Sequence, residues 1–254
     1  MSWSVTLDAP AVERDQLIAD LWEAGTVGVT EDEDWVRAFF EETVDSGDVL
    51  RRFAPYQPRF ERDDGHDWVR HAQSMWQAVA VGERFWLVPE WEEDAAPQGR
   101  MRLSMRSGMA CGSGSHPATQ LCLQALEKTV APGAAVLDVG TGSGILAEAA
   151  RLLGAAFVVG CDIEHDATLV AKRNVPEIAV FTGSLRSIRT GTFDTVVANL
   201  NAATIATLGS ELQRVSRRVV VSGFHEDEQG WVEKQVPKPV SERLELDGWA
   251  CLIF

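Results

Sequence analysis

Several features are scarce in this chain of 254 residues. No stretch stays apolar long enough to cross a bilayer as a helix. No basic-then-apolar leader opens the chain; Ser2 to Leu7 alternates polar and apolar residues instead. The four cysteines, Cys111, Cys122, Cys161 and Cys251, form neither a C-x-x-C pair nor a metal-ligand spacing. No metal is expected, and reduced thiols in a cytoplasmic protein are the economical reading. Repeats and low-complexity segments are absent. Lysine is missing from the first 67 residues, where seventeen Asp and Glu face six Arg and hold −11 of the net charge of −15. Such a surface repels phosphate backbones and steers basic partners inward. It argues against nucleic acid as the direct substrate, although acidic runs also serve simply as solvated faces. What is present is an apolar share of 45%, with length for one large domain or two smaller ones.

The first sixty residues read as a small α+β unit. "WSVTL" alternates like a strand, Pro10 suits a first helical turn, and Val12, Leu17, Ile18, Leu21 and Trp22 fall mostly at helical spacing before a stop at Gly25. "TVGVT" and "WVRAFF" are strands around "EDED", and Asp45 to Leu50 starts a second helix. This predicts a ferredoxin-like domain over residues 1–60. "RRFAPYQPRFERDDGHD" reads as a boundary. Residues 61–100 are expected to be a linker with a weak helix in "DWVRHAQSMW" and accessory strands about Gly82-Glu83, and residues 101–254 the main domain. There the Gly- and Ser-rich "RSGMACGSGSHPATQ" leads into a helix over 118–129, with Ser115 or His116 as cap and Pro117 first. From Ala135 strands and helices alternate: "AVLDV", helix 143–153, "AFVVGCDI", helix 167–174, "IAVF", "FDTVVANL", helix 202–214, "RRVVVSG" and helix 227–235. A hairpin about Asp247-Gly248 ends the chain. Repeated βα units predict an α/β fold, a parallel sheet with helices on both faces.

The segment "AVLDVGTGSGILAEAA" puts Gly140, Gly142 and Gly144 between a strand and a helix. Such glycines let a ligand touch the main chain and use its N–H groups. A dinucleotide fold needs G-x-G-x-x-G; the order here is G-x-G-x-G, which disfavours a nicotinamide dehydrogenase. A sulfonium cofactor, S-adenosylmethionine, carries no pyrophosphate and suits this cradle. Asp162, twenty-two residues after Gly140, can accept from both ribose hydroxyls, or cap a helix. Asp138 either supports the loop or touches the cofactor. Asn199 ends a parallel strand beside the ligand crevice of such sheets, where a side-chain amide can hold a neutral amine; a lone Asn there can also be a turn residue. His116 is read as a cap rather than a proton relay. By residue type alone Thr119 is a helix-surface threonine.

"GMACGSGSHPATQLCLQAL", "VLDVGTGSGILAEAA", "GCDI" and "VVANL", in that order behind an acidic N-terminal unit, resemble the PrmA family, the methyltransferases of the eleventh large-subunit ribosomal protein. "DW" at Asp67-Trp68 and "SGF" at Ser222 to Phe224 extend the likeness over the whole chain. The resemblance implies a small substrate-recognising domain, a linker and a seven-stranded, Rossmann-like methyltransferase domain using S-adenosylmethionine. It places cofactor contacts on Thr119, Gly140, Asp162 and Asn199, to which the loop adds Gly142; Asn199 is the candidate catalytic residue, aiming the nitrogen with the carbonyls of Ala198 and Leu200. It implies methylation of lysine or N-terminal amines on a basic ribosomal protein, by a monomer in the cytoplasm, without nucleic acid or membrane. Three departures stand out: Cys111 and Ser113 replace the usual Phe and Thr, and the Pro-Gly-Gly turn before "RRVVVSG" is missing. A lysine methyltransferase of another protein, such as an electron-transfer flavoprotein, and a non-catalytic adaptor remain alternatives.

Overall fold

The computed structural model describes residues 2–9, 14–32, 34–63, 78–93, 95–105 and 116–254. The chain forms two compact units, Met1–Met75 and Trp76–Phe254. No described helix is long and apolar enough to cross a membrane.

The first unit runs β1 (Ser2–Asp8), α1 (Arg14–Glu23), β2 (Gly28–Glu31), β3 (Trp35–Glu41), α2 (Ser46–Arg52) and β4 (Arg59–Asp63). Its strands lie in the order β2-β3-β1-β4, every pair antiparallel. Alternation decides the buried face: Trp3, Val5 and Leu7 pair with Phe40, Ala38 and Val36, and all six join Leu17, Leu21 and Val49 of the helices in one core. Asp45 caps α2 by accepting from the amides of Gly47 and Asp48. The expected boundary at residue 60 falls inside β4, which pairs with β1 as far as Asp63. "RFERD" has the composition of a linker because it is an edge strand with a single apolar residue, Phe60.

In the second unit β5 (Val79–Val81) and β6 (Phe85–Pro89) form the hairpin expected about Gly82-Glu83, and β7 (Met101–Met105) lies parallel to β6. The hairpin supplies accessory strands of the kind expected within 61–100. The rest follows as α3 (Pro117–Thr129), β8 (Ala135–Val139), α4 (Ile145–Leu152), β9 (Phe157–Asp162), α5 (His165–Asn174), β10 (Ala179–Thr182), β11 (Phe193–Asn199), α6 (Ala202–Val215), β12 (Ser216–His225), β13 (Glu242–Leu246) and β14 (Trp249–Ile253). These last strands form a seven-stranded sheet, β10-β9-β8-β11-β12-β14-β13, parallel except for the terminal hairpin. Neighbouring residues feed opposite faces. Val136, Val197 and Val220 pack with α3 and α4, whereas Leu137, Val196, Ala198, Val219 and Val221 pack with α6. Strand order reverses between β8 and β11, which opens a crevice at their C-terminal ends.

Two local expectations are corrected. The helix over 227–235 is a four-residue α turn, Gln229–Val232, between two 3-10 turns, because Gly230 sits at its centre. Where the Pro-Gly-Gly turn is missing, α6 passes into β12 with no intervening residue: Val215 ends the helix and Ser216 begins the strand. The Ser216 hydroxyl donates to Leu212 O (3.2 Å) across this junction and to Arg218 O (2.7 Å) within β12.

Gly209 of α6 lies directly under the backbone carbonyl of Gln235, where an added Cβ would fall far inside van der Waals contact. Gly209→Ala is expected to destabilise the protein by about 1–3 kcal/mol. Urea unfolding checks this; a change within the usual scatter of surface substitutions would show that 233–236 moves aside without cost.

Candidate functional site

The glycine loop follows β8. Gly140 has φ +70°, a conformation that favours glycine, and a Cβ on it would stand 2.6 Å from Leu200 Cδ2 and displace that side chain. The amides of Gly140 and Thr141 both donate to the Cys161 carbonyl (2.8 and 3.0 Å), and Gly142 N donates to Asp162 Oδ2 (3.2 Å). These N–H groups are thus engaged within the protein. The loop offers close approach to the main chain, and among the described residues nothing donates to the Gly140 carbonyl. Asp162 ends β9 and ties two loops, since its Oδ1 also accepts from Glu164 N (3.1 Å).

Asp138 supports the loop from within. It is buried, and its Oδ2 accepts from the Thr141 hydroxyl (2.7 Å) and from Ala147 N (3.2 Å), while Oδ1 has no partner among the described residues. Burial pushes its carboxyl up to about 7; the two hydrogen bonds oppose this and the Asp162 charge adds to it. Cys161 is pushed up to about 12, chiefly by burial, so it is no nucleophile.

Across the crevice, Asn199 Nδ2 donates to the Thr119 hydroxyl (3.1 Å), joining the end of β11 to the first turn of α3. Thr119 is only 1% exposed, so the reading of a helix-surface threonine is corrected. The period of α3 puts it on the inner face with Leu123 and Leu126. His116 is the N-cap of that helix, its Nδ1 accepting from Ala118 N (3.2 Å). The next residue along β11, Leu200, donates its amide to Ser222 O (2.8 Å), and its backbone lies where a Cβ on Gly223 would be. Between the glycine loop and Asp162 lies a pocket of about 100 Å³ with Ile163, Leu185, Leu200 and Leu208 in its walls. Ile163 is 79% exposed. Sequence reasoning named only Leu200 of these, and for its carbonyl rather than its side chain, although an exposed Ile directly after a strand-end Asp was a signal. The structure thus brings Gly140, Gly142 and Asp162 together on one side and Asn199 and Thr119 on the other. Cys111 and Ser113, like Asp67-Trp68, lie outside the described residues.

A family model described as ribosomal protein L11 methyltransferase (PrmA) matches residues 2–254. The chain belongs to the PrmA family. It is similar to the ribosomal protein L11 methyltransferase of Cupriavidus taiwanensis, 38% identical over 205 residues, covering 78% of this chain and 68% of that one. The protein of the same name from Methylobacillus flagellatus is 33% identical over 238 residues, covering 85% and 78%. Among solved structures, the ribosomal protein L11 methylase of Lactobacillus delbrueckii subsp. bulgaricus superposes with a TM-score of 0.62 at 28% identity, covering 70% of this chain and 96% of that one. Membership in PrmA agrees with the resemblance carried by the motifs, and gives the α/β methyltransferase fold to the second unit.

In this PrmA chain Asp138 holds its proton more tightly folded than unfolded, because burial raises it from 3.8 to about 7. The folded state then binds more protons at this group between these values, so the contribution of Asp138 to stability falls as pH rises from about 4 to 7 and is level on either side. Asp138→Asn keeps an oxygen for Thr141 and Ala147. It is expected to remove that slope from the ligand-free protein, as measured by urea unfolding across pH 4–8; an unchanged slope assigns it to other groups.

Proposed function

We propose that this chain is an S-adenosylmethionine-dependent protein methyltransferase acting on amines of ribosomal protein L11, the lysine side chains and N-terminal amine among them. The observation that carries the reading is the Asn199–Thr119 hydrogen bond, which joins residues eighty positions apart at the rim of the crevice. In this reading the seven-stranded unit is the catalytic domain and the first unit a ferredoxin-like domain that receives the substrate. The acidity of the first 67 residues suits a basic ribosomal protein and disfavours nucleic acid. A cytoplasmic monomer is the simplest setting for such an enzyme.

The residues present fit the cofactor. The apolar pocket beside Asp162 suits a flat heterocycle, the Asp162 carboxylate suits the two ribose hydroxyls, and the open Gly140 carbonyl suits an ammonium group. When bound, the cofactor supplies an electrophilic methyl on a positive sulfur. Gly140 and Gly142 let it lie against the main chain, and Asp162 fixes its sugar. Asn199 is held by Thr119 through Nδ2, so its Oδ1 is available to accept from an incoming amine. The Ala198 and Leu200 carbonyls flank it along the chain. An acceptor lysine, with an ordinary pKa of about 10.4, must enter neutral; a carbonyl-type acceptor holds its hydrogens without stabilising the ammonium form as a carboxylate would. The amine held by Asn199 would take up the methyl that the bound cofactor supplies, and its proton would leave to solvent.

Incubation with labelled cofactor and purified L11 should place label on L11; cofactor binding without transfer would refute the substrate and leave the adaptor reading. Asn199→Ala should lower the transfer rate about 100-fold. Its cofactor affinity should change by less than about fivefold, as for one neutral hydrogen bond; equal effects on both would remove its aiming role. Asp162→Ala should weaken cofactor binding by roughly 10- to 100-fold by calorimetry, as for lost charge-assisted bonds.

A further inference from the structure

The first turn of α3 carries Thr119, and a row of rings seats that turn on the sheet. His116 opens it: its backbone carbonyl accepts from Thr119 N (2.9 Å), and its ring Nδ1 accepts from Ala118 N (3.2 Å). The same ring stands edge-on to Trp249 of β14, with ring centres 4.4 Å apart and planes at 75°. On β12, His225 is the register partner of Trp249, and its ring lies 4.2 Å from the indole at 34°. Contacts of this kind between rings are directional as well as apolar. Trp249 is half-buried and packs against the core that contains Cys122 of α3 and Cys251 of β14. By strand alternation it shares the α3 face of β14 with Cys251.

Register explains why these groups meet. Asn199 pairs with Ser222, and Ser222 pairs with Cys251. The pairing of β12 with β14 then slips between Ser222 and Phe224, where Gly223 has φ +97°. A regular strand would turn His225 to the face opposite Ser222; the slip adds a residue and brings both to the α3 face. The start of α3 therefore meets the sheet twice within one turn. Thr119 accepts from Asn199 (3.1 Å), and His116 rests on Trp249. A hydrogen bond between a helix and a strand weakens steeply when either shifts or tilts, so something must hold their spacing.

We propose that Trp249, with His225 behind it, is a positioning residue for the methyl transfer. By seating His116 it sets the first turn of α3 where the Thr119 hydroxyl can hold the Asn199 amide. The inference rests on the reading of Asn199 as the residue that aims the acceptor nitrogen. Trp249 acts through His116 and Thr119 and needs no contact with the reacting atoms.

Three variants of the full-length protein test this. Trp249→Leu keeps apolar bulk without a ring, and Trp249→Phe keeps a ring. His116→Asn keeps a good helix cap but removes the ring that Trp249 seats. The first readout is the Asn199 side-chain amide resonance of the ligand-free protein, assigned by its loss in Asn199→Ala. The second is the transfer rate to L11 at saturating cofactor. Trp249→Leu and His116→Asn should move the amide resonance to its position in Thr119→Val, and should slow transfer about tenfold through misplacement of Asn199. Trp249→Phe should leave both close to the unaltered protein. In the Thr119→Val background, Trp249→Leu should cost no further rate, as for residues acting through one contact. The proposal is overturned by an unmoved amide resonance in Trp249→Leu, by Leu and Phe variants that behave alike, or by additive losses in the double variant. A lowered Tm without the resonance shift would overturn it too, by assigning Trp249 to stability alone. Resonances that move as expected in a protein with no transfer to L11 would uphold the seating by Trp249 and refute the methyl-transfer reading instead.

Discussion

Leu200 wedges three strand ends together. Its side chain fills the space left by the missing side chain of Gly140 at the end of β8, and its backbone lies in the space left by Gly223 in β12. Its amide donates to Ser222. A side chain at Gly223 would collide with the Leu200 backbone and push it from β12, and one at Gly140 would displace the Leu200 side chain. Asn199, immediately before Leu200, would then lose its reach to Thr119. The geometry of the crevice thus depends on two absent side chains more than on any strong attraction, and the close-packed interior around them has no slack to absorb a displacement.

This constraint also explains how differently the parts of the site show in the sequence. Gly140, Gly142 and Asp162 were legible because their chemistry is local: a glycine-spaced turn after an apolar strand, and an acid at the tip of the next strand. The strands themselves were legible, being short apolar runs such as "AVLDV" and "TVVAN" bounded by turn residues. The partner of Asn199 was not, since a hydrogen bond spanning eighty residues depends on which strands lie side by side, and Thr119 by itself is an ordinary helical residue. The motif resemblance, not periodicity, singled it out. Strand β4 was hidden for another reason. An edge strand needs few apolar residues, so "RFERD" carries charge where a central strand would carry Val or Ile. The broken segment 226–235 was misread because its polar residues suit a helix start while Gly230 undermines the continuation.

Charge is distributed as unevenly as packing. The acidic first unit accounts for most of the net charge. Asp138, by contrast, sits buried with one oxygen unsatisfied. A native protein tolerates such a cost where the strained group braces a functional loop, and Asp138 braces the glycine turn through Thr141 and Ala147.

The seam between α6 and β12 carries a final consequence. Val215 and Val219, on either side of it, are both fully buried. One residue added there would turn the helix by about 100° or reverse the alternation of the strand. No loop exists to absorb the change. In this chain the junction therefore works as a fixed ruler between the outer helical layer and the sheet, where relatives with a turn at this place have slack.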